Sequence, residues 1–223
     1  MSTPRRPAIP KTVFVAGTRR NAGKTLVSEF LLRSLPGAGA IKLTCCRPGR
    51  ACPRDRPCGV CGALIGPFAI IRDQQILAQR GKDTARLLAA ATGKVVWLQS
   101  REGALREAMV TAITHFTAAP VVVVEGNAAF QAAKPDLGVL VVGPGVQSAK
   151  SSVRVALPMV DVVVRNVRPS FSKPAQVEGL GEDVVTFSFD AANPGDDPSA
   201  DAFVRWVRQR LRLGSEVPGL GAN

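Results

Sequence analysis

The sequence predicts an α/β protein of three layers, with helices on both faces of a doubly wound, mostly parallel sheet. Three observations point there. Short β-branched runs alternate along the chain with segments whose apolar residues recur at helical spacing. One run, PVVVVEGN (120–127), is unbroken valine before its acidic end, as expected of a strand covered by helices on both faces. The chain has 223 residues and is 46% hydrophobic, enough for one large core.

The elements follow in order. KTVFVAG (11–17) is an apolar run ending in glycine, and KTLVSEFLLRSL (24–35) continues it at helical period, so the chain opens as strand, loop, helix. GAIKLT (39–44) is a short second strand. GKDTARLLAAAT (81–92) is rich in alanine and leucine and predicts a helix; the strand KVVWLQS (94–100) and the helix EGALREAMVTAITHF (102–116) come next. The valine run at 120–127 is followed by three more strand candidates, LGVLVVG (137–143), VDVVVRNV (160–167) and DVVTFSF (183–189). SADAFVRWVRQRLRL (199–213) closes the pattern as an amphipathic helix with its arginines towards solvent. The pattern predicts one domain over residues 1–213. It carries a cysteine-rich insertion at 45–62 after the second strand, and a glycine-rich flexible tail at 214–223 follows.

The formal net charge is +12, which points to an anionic partner: a nucleotide, a phosphorylated metabolite or cofactor precursor, or simply a solubilising basic surface. Tyrosine is absent and aromatics make up 5%, so the stacking platforms of single-strand binders are largely missing and nucleic acid is disfavoured. No apolar run approaches the ~18 residues of a membrane span, and MSTPRRPAIPK at the start lacks the apolar stretch of a signal peptide. The expectation is a cytoplasmic protein without a membrane anchor.

The strongest local signal is AGTRRNAGKT (16–25). A phosphate-binding loop reads G-x-x-x-x-G-K-[ST]: its glycines let backbone N–H groups wrap phosphate oxygens, its lysine reaches the terminal phosphates, and its hydroxyl binds magnesium. Gly23, Lys24 and Thr25 fit, but Thr18 stands where the first glycine belongs and Gly17 is one residue early. A helix beginning at Gly23 would add the positive end of its dipole to the anion site. Residues 17–25, namely Gly17, Thr18, Arg19, Arg20, Asn21, Ala22, Gly23, Lys24 and Thr25, are the expected nucleotide contacts.

The loop GTRRNAGKT is similar to the G-T-x-x-x-x-G-K-T loops of dethiobiotin synthetase and the cobyrinic acid amide synthases, and resembles that of the molybdopterin-guanine dinucleotide biosynthesis protein B family. All belong to the P-loop NTPase class that includes the signal recognition and MinD proteins. The resemblance spans residues 12–44 well and 120–169 loosely, and it implies three further site residues. Lys42, in AIKLT, stands where dethiobiotin synthetase places a lysine facing phosphates and substrate; a solvent-exposed strand end is the alternative. Glu125, in VVVVEGN, resembles the VEG of these families and would hold magnesium with Thr25. Asn166, in VVVRNVRPS, stands where these families place an asparagine on the nucleotide base. The run Asn166, Val167, Arg168, Pro169 lacks the downstream aspartate of the N-K-x-D tetrad that guanine-selective relatives carry, so guanine selectivity is unsupported; ATP is the first choice and GTP stays open.

All five cysteines lie in CCRPGRACPRDRPCGVCG (45–62). Clustered thiols in a cytoplasmic protein favour metal or redox chemistry over disulfides. Cys58 and Cys61 form a C-x-x-C, and Cys46 and Cys52 complete four thiolates that could hold zinc or an iron–sulfur cluster; redox or substrate thiols and unmodified cysteines remain open. Arg47, Arg50, Arg54, Arg56 and Arg72 surround them, as a surface for an anion or as solubilising charge. Asp73 and Asp83 are further carboxylates, Asp83 fitting either magnesium or a helix N-terminus. The single histidine, His115, ends an apolar helix face and reads as structural.

Three functions compete. The first is an ATP- or GTP-hydrolysing accessory protein of molybdenum-cofactor or metal-centre biosynthesis, with Lys24, Lys42 and Glu125 as its catalytic residues. The second is a ligase or kinase similar to dethiobiotin synthetase, and the third a nucleotide-binding metal or redox sensor. A homodimer fits the class, although no residue specifies it.

Overall fold

The computed structural model describes residues 9–46, 60–143, 151–167, 177–181 and 183–214. Among these residues eight strands form one sheet in the order β3-β4-β2-β5-β1-β6-β7-β8. They are β1 (Lys11–Gly17), β2 (Gly39–Cys46), β3 (Phe68–Ile71), β4 (Val95–Arg101), β5 (Val121–Glu125), β6 (Leu137–Val142), β7 (Val162–Asn166) and β8 (Val185–Phe189). Every neighbouring pair is parallel except β3–β4, which is antiparallel at the edge. The predicted three-layer α/β architecture is therefore the observed one.

The helices are α1 (Lys24–Ser34), α2 (Val60–Ala63), α3 (Gln74–Leu77), α4 (Asp83–Ala90), α5 (Leu105–Ile113), α6 (Ala129–Ala132), α7 (Ser151–Arg154) and α8 (Pro198–Arg210). Alternation along the strands sorts side chains to two cores. Val13, Val15, Val121 and Val123 pack with Val27, Leu31 and Leu32 of α1, Leu87 of α4 and Phe203 of α8. Phe14, Ala16, Val122 and Val124 pack on the other face with Leu105, Ala108 and Met109 of α5, Phe130 of α6 and Val153 of α7. A central strand such as β5, buried along its whole length, thus needs apolar residues on both faces, and the valine run supplies them.

Two stabilising devices hold helices to this frame. Glu29 of α1, buried, takes both of its oxygens to Arg86 of α4, from Nε at 2.6 Å and Nη2 at 2.8 Å. Helix α8 starts at Asp197, whose side chain accepts from Ser199 N at 2.8 Å, with a proline in the first turn. Its Phe203 and Trp206 tilt against Phe187 of β8. The arginines of α8 do not all face solvent: Arg208 turns back to donate to the carbonyls of Ser34 and Gly214.

Several expected boundaries move. The second strand runs on to Cys46, so two cysteines belong to the sheet rather than to the insertion. The strand β3 lies at 68–71, a stretch that shows no alternation in sequence, because FAII is too short and sits between Pro67 and Arg72. The helix at 102–116 divides into α5 and flanking 3₁₀ turns at Glu102–Ala104 and Thr114–Phe116, the second carrying half-buried His115. Residues 47–59 and 215–223, hence most of the cysteine-rich insertion and the tail, lie outside the described residues. Among the described residues no helix is long and apolar enough to cross a membrane.

Candidate functional site

Strand order brings the predicted residues together. β2, β5 and β1 are adjacent, with Lys42 in register opposite Glu125 and Glu125 opposite Val15. The loop after Gly17, the end of β5 and the middle of β2 at Lys42 thus share one corner on the carboxyl side of the sheet, where open α/β sheets bind ligands; β2 itself runs four residues further, to Cys46.

The loop's shape depends on two residues in left-handed backbone, Asn21 (φ 60°) and Gly23 (φ 106°). Asparagine and glycine tolerate this region best. Gly23 is also the N-cap of α1, without a capping side chain or any acidic residue in the first turn, so the first-turn amides have no carboxylate of their own and suit an external anion. The early glycine is explained by Lys24. A Cβ on Gly17 would stand 2.7 Å from Lys24 Cγ, so the missing side chain lets the lysine stem lie back across the strand end. Lys24 Nζ then reaches the carbonyl of Arg19 at 3.5 Å.

Magnesium is implied by the loop pattern, and its fit can be judged on the carboxylate beside it. Glu125 is 1% exposed. Its Oε1 accepts from Thr25 Oγ1 at 3.1 Å and from Lys42 Nζ at 2.5 Å, while Oε2 is buried with no hydrogen-bond partner among the described residues. An orphaned anionic oxygen in the interior costs about 1–3 kcal/mol, a cost that a cation or its bound water would remove. Thr18 Oγ1 is another buried oxygen without a partner among the described residues. The residues present fit the metal.

Lys42 Nζ lies 2.6 Å from Asp83 Oδ2 as well, joining β2 to the first turn of α4. Burial pulls an ammonium's pKa down, yet the two carboxylates outweigh it and hold Lys42 above the ordinary lysine value. Lys42 is no exposed strand end. Asp83, for which two roles were open, is both in the first turn of its helix and bound to this lysine.

Asn166 is buried behind the loop. Its Nδ2 donates to Ala22 O at 3.1 Å, its Oδ1 accepts from Ala191 N at 3.1 Å, and a Cβ on Gly23 would run into its carboxamide. In this arrangement it braces the loop against β7. Arg19 and Arg20 are exposed on the loop. Asp73 caps α3, accepting from Gln75 N and Ile76 N.

Asn127 was not singled out by sequence reading, though it stands two residues after Glu125. Its Oδ1 accepts from Gly17 N and its Nδ2 donates to Gly17 O, both at 3.0 Å, fixing the end of β1 like an added strand residue. The signal was an amide side chain directly after a buried strand with an acidic end.

Of the four candidate thiolates, Cys46 is buried in a small apolar cluster with Val60 and Leu64, against Ala69 and Trp97. Cys61 lies in α2, and Cys52 and Cys58 lie outside the described residues. Among the described residues no group of three metal-ligating side chains is assembled.

No protein-family model and no curated protein matches the chain. Among solved structures it is similar to an LAO/AO transport system kinase, at 14% identity and a TM-score of 0.46, over 91% of this chain and 59% of that one. The chain thus spans about three fifths of that kinase's length. A likeness at this level carries no weight for function, which stands on the site itself.

Proposed function

We propose that this chain binds a nucleoside triphosphate with magnesium and hydrolyses it. The observation that carries the reading is Glu125 Oε2: a buried carboxylate oxygen without a partner among the described residues, on a side chain bonded to the hydroxyl of Thr25 at the start of α1. Bound magnesium would withdraw charge from the phosphate oxygens at the transferring group. Thr25 and Glu125 hold that cation, the latter directly or through water. The first-turn amides of α1 and the loop backbone over 17–25 take the phosphates, Lys24 extends to the terminal ones, and Lys42 neutralises charge as it develops. The run Asn166, Val167, Arg168, Pro169 lacks the aspartate of the guanine-reading N-K-x-D tetrad, so guanine selectivity has no support and ATP is preferred.

The loop resemblance and the cysteines at 45–62 support a role as an accessory protein of molybdenum-cofactor or metal-centre biosynthesis, with hydrolysis coupled to handling through that segment. Elemental analysis and the visible spectrum of the purified protein separate zinc, iron–sulfur and thiol-only forms. Transfer to a small metabolite, the ligase or kinase reading, predicts turnover that survives Cys58→Ser; the accessory reading predicts loss of bound metal and of coupled function.

The direct test is Lys24→Ala. Magnesium-dependent turnover is expected to fall by about a hundredfold or more, with unchanged circular dichroism. Turnover that survives the substitution would sink the assignment.

A further inference from the structure

Lys42 is shared between two carboxylates on different elements. Its ammonium is 2.5 Å from Glu125 Oε1 and 2.6 Å from Asp83 Oδ2, while the side chains of Glu125, Lys42 and Asp83 are 1%, 13% and 44% exposed. The same Glu125 oxygen accepts from Thr25. A divalent cation drawn to Glu125 therefore meets a positive charge already bonded to that group, at a depth where solvent screens little.

We propose that Lys42 is a tethered cation that competes with the divalent metal for Glu125, and that Asp83 is the position to which Lys42 is drawn when the metal binds. The inference rests on the reading of Glu125 as the metal's carboxylate. Asp83 is built for such a role, since it sits at the half-exposed N-terminus of α4, where a carboxylate is also favoured by the helix dipole. Lys42 can thus leave Glu125 without losing a counter-charge. The arrangement sets the metal concentration at which the site fills, and Asp83 acts as a positioning residue through Lys42.

The test uses Mn²⁺ alone, titrated into the nucleotide-free full-length protein and followed by its paramagnetic resonance signal. Lys42→Met is expected to tighten Mn²⁺ binding by about tenfold or more, because a unit charge bonded to the binding carboxylate is removed. Lys42→Gln, which retains an N–H donor for Glu125, tightens it in the same direction and covers the case in which the methionine variant fails to fold. Asp83→Asn weakens binding by about fivefold in the wild-type background and by less than about twofold in the Lys42→Gln background, as a residue acting through Lys42 must. Equal weakening in both backgrounds, or no tightening in either Lys42 variant, overturns the proposal while leaving the nucleotide reading intact. Glu125→Gln separates the two: if it leaves Mn²⁺ affinity unchanged, the metal does not use Glu125 and both readings fall.

Discussion

Glu125 and Asp136 stand at opposite edges of the central sheet, the first ending β5 at its carboxyl edge and the second just before β6 at the amino edge. Asp136 is saturated: Oδ1 accepts from Lys11 Nζ at 2.8 Å, and Oδ2 from Thr12 N at 2.9 Å and Thr12 Oγ1 at 3.1 Å. Glu29, in the seam between α1 and α4, is saturated too, with both oxygens on one guanidinium. Glu125 is the most deeply buried of the three and the one with an oxygen unused among the described residues. A carboxylate kept for structure has its lone pairs filled by its own chain, because each unfilled one lowers stability. Glu125 departs from that rule beside a left-handed glycine loop and a helix start, and the proposed metal role would account for the departure where packing does not.

The comparison breaks most visibly if Glu125 proves structural. Glu125→Gln is expected to lower magnesium-dependent turnover about a hundredfold. Its unfolding free energy should fall by less than about 2 kcal/mol: the ion pair with Lys42 is lost, but Lys42 keeps Asp83 as its counter-charge and the desolvation cost of the unbonded Oε2 is relieved. Urea denaturation alongside steady-state kinetics reads both. A large stability loss with turnover preserved would place Glu125 with Asp136 and Glu29.

How far this site could be read from sequence follows from the kind of interaction involved. The loop is marked by local pattern, a glycine-lysine-threonine start to a helix, and Lys42 and Glu125 are proposed from the resemblance of the segments that carry them. Strand order was not legible, and it is register between β2, β5 and β1 that puts Lys42 against Glu125. Asp83 could be assigned to a helix N-terminus from its neighbours, but its contact with Lys42 spans 41 residues and leaves no local trace. The Glu29–Arg86 pair was missed for the same reason. β3 escaped because four apolar residues carry no period, and Asn127 because its side chain works on backbone, which imposes no pattern on the partner's sequence.

Glu29→Gln sharpens the contrast from the structural side. It leaves Arg86 with one weaker acceptor in place of a charged fork at a buried position, and should cost about 2 kcal/mol, less than a fully buried pair because Arg86 is itself half exposed. Nucleotide affinity, measured with a fluorescent ATP analogue, should move by less than about twofold. Comparable losses in both would mean that the α1–α4 seam shapes the loop, and the separation between structural and binding carboxylates would be lost.

Asp136 gives the smallest effect and the one with a pH signature. Burial alone would raise its pKa, but bonds from Lys11 and Thr12 prevail and hold it below the usual carboxylate value. A carboxyl depressed on folding adds stability that is fully present above its unfolded pKa and lost as pH falls through the folded one. Its side chain is 35% exposed and Lys11 is 52% exposed, so solvent screens the ion pair and the two Thr12 bonds carry most of the gain. Asp136→Asn should therefore cost about 1 kcal/mol at neutral pH, with wild type and variant converging in urea titrations as the carboxyl protonates. A difference that persists below that range would mean that Asp136 stabilises through shape rather than charge. The two edges of the sheet would then differ less in their electrostatics than their hydrogen bonds imply.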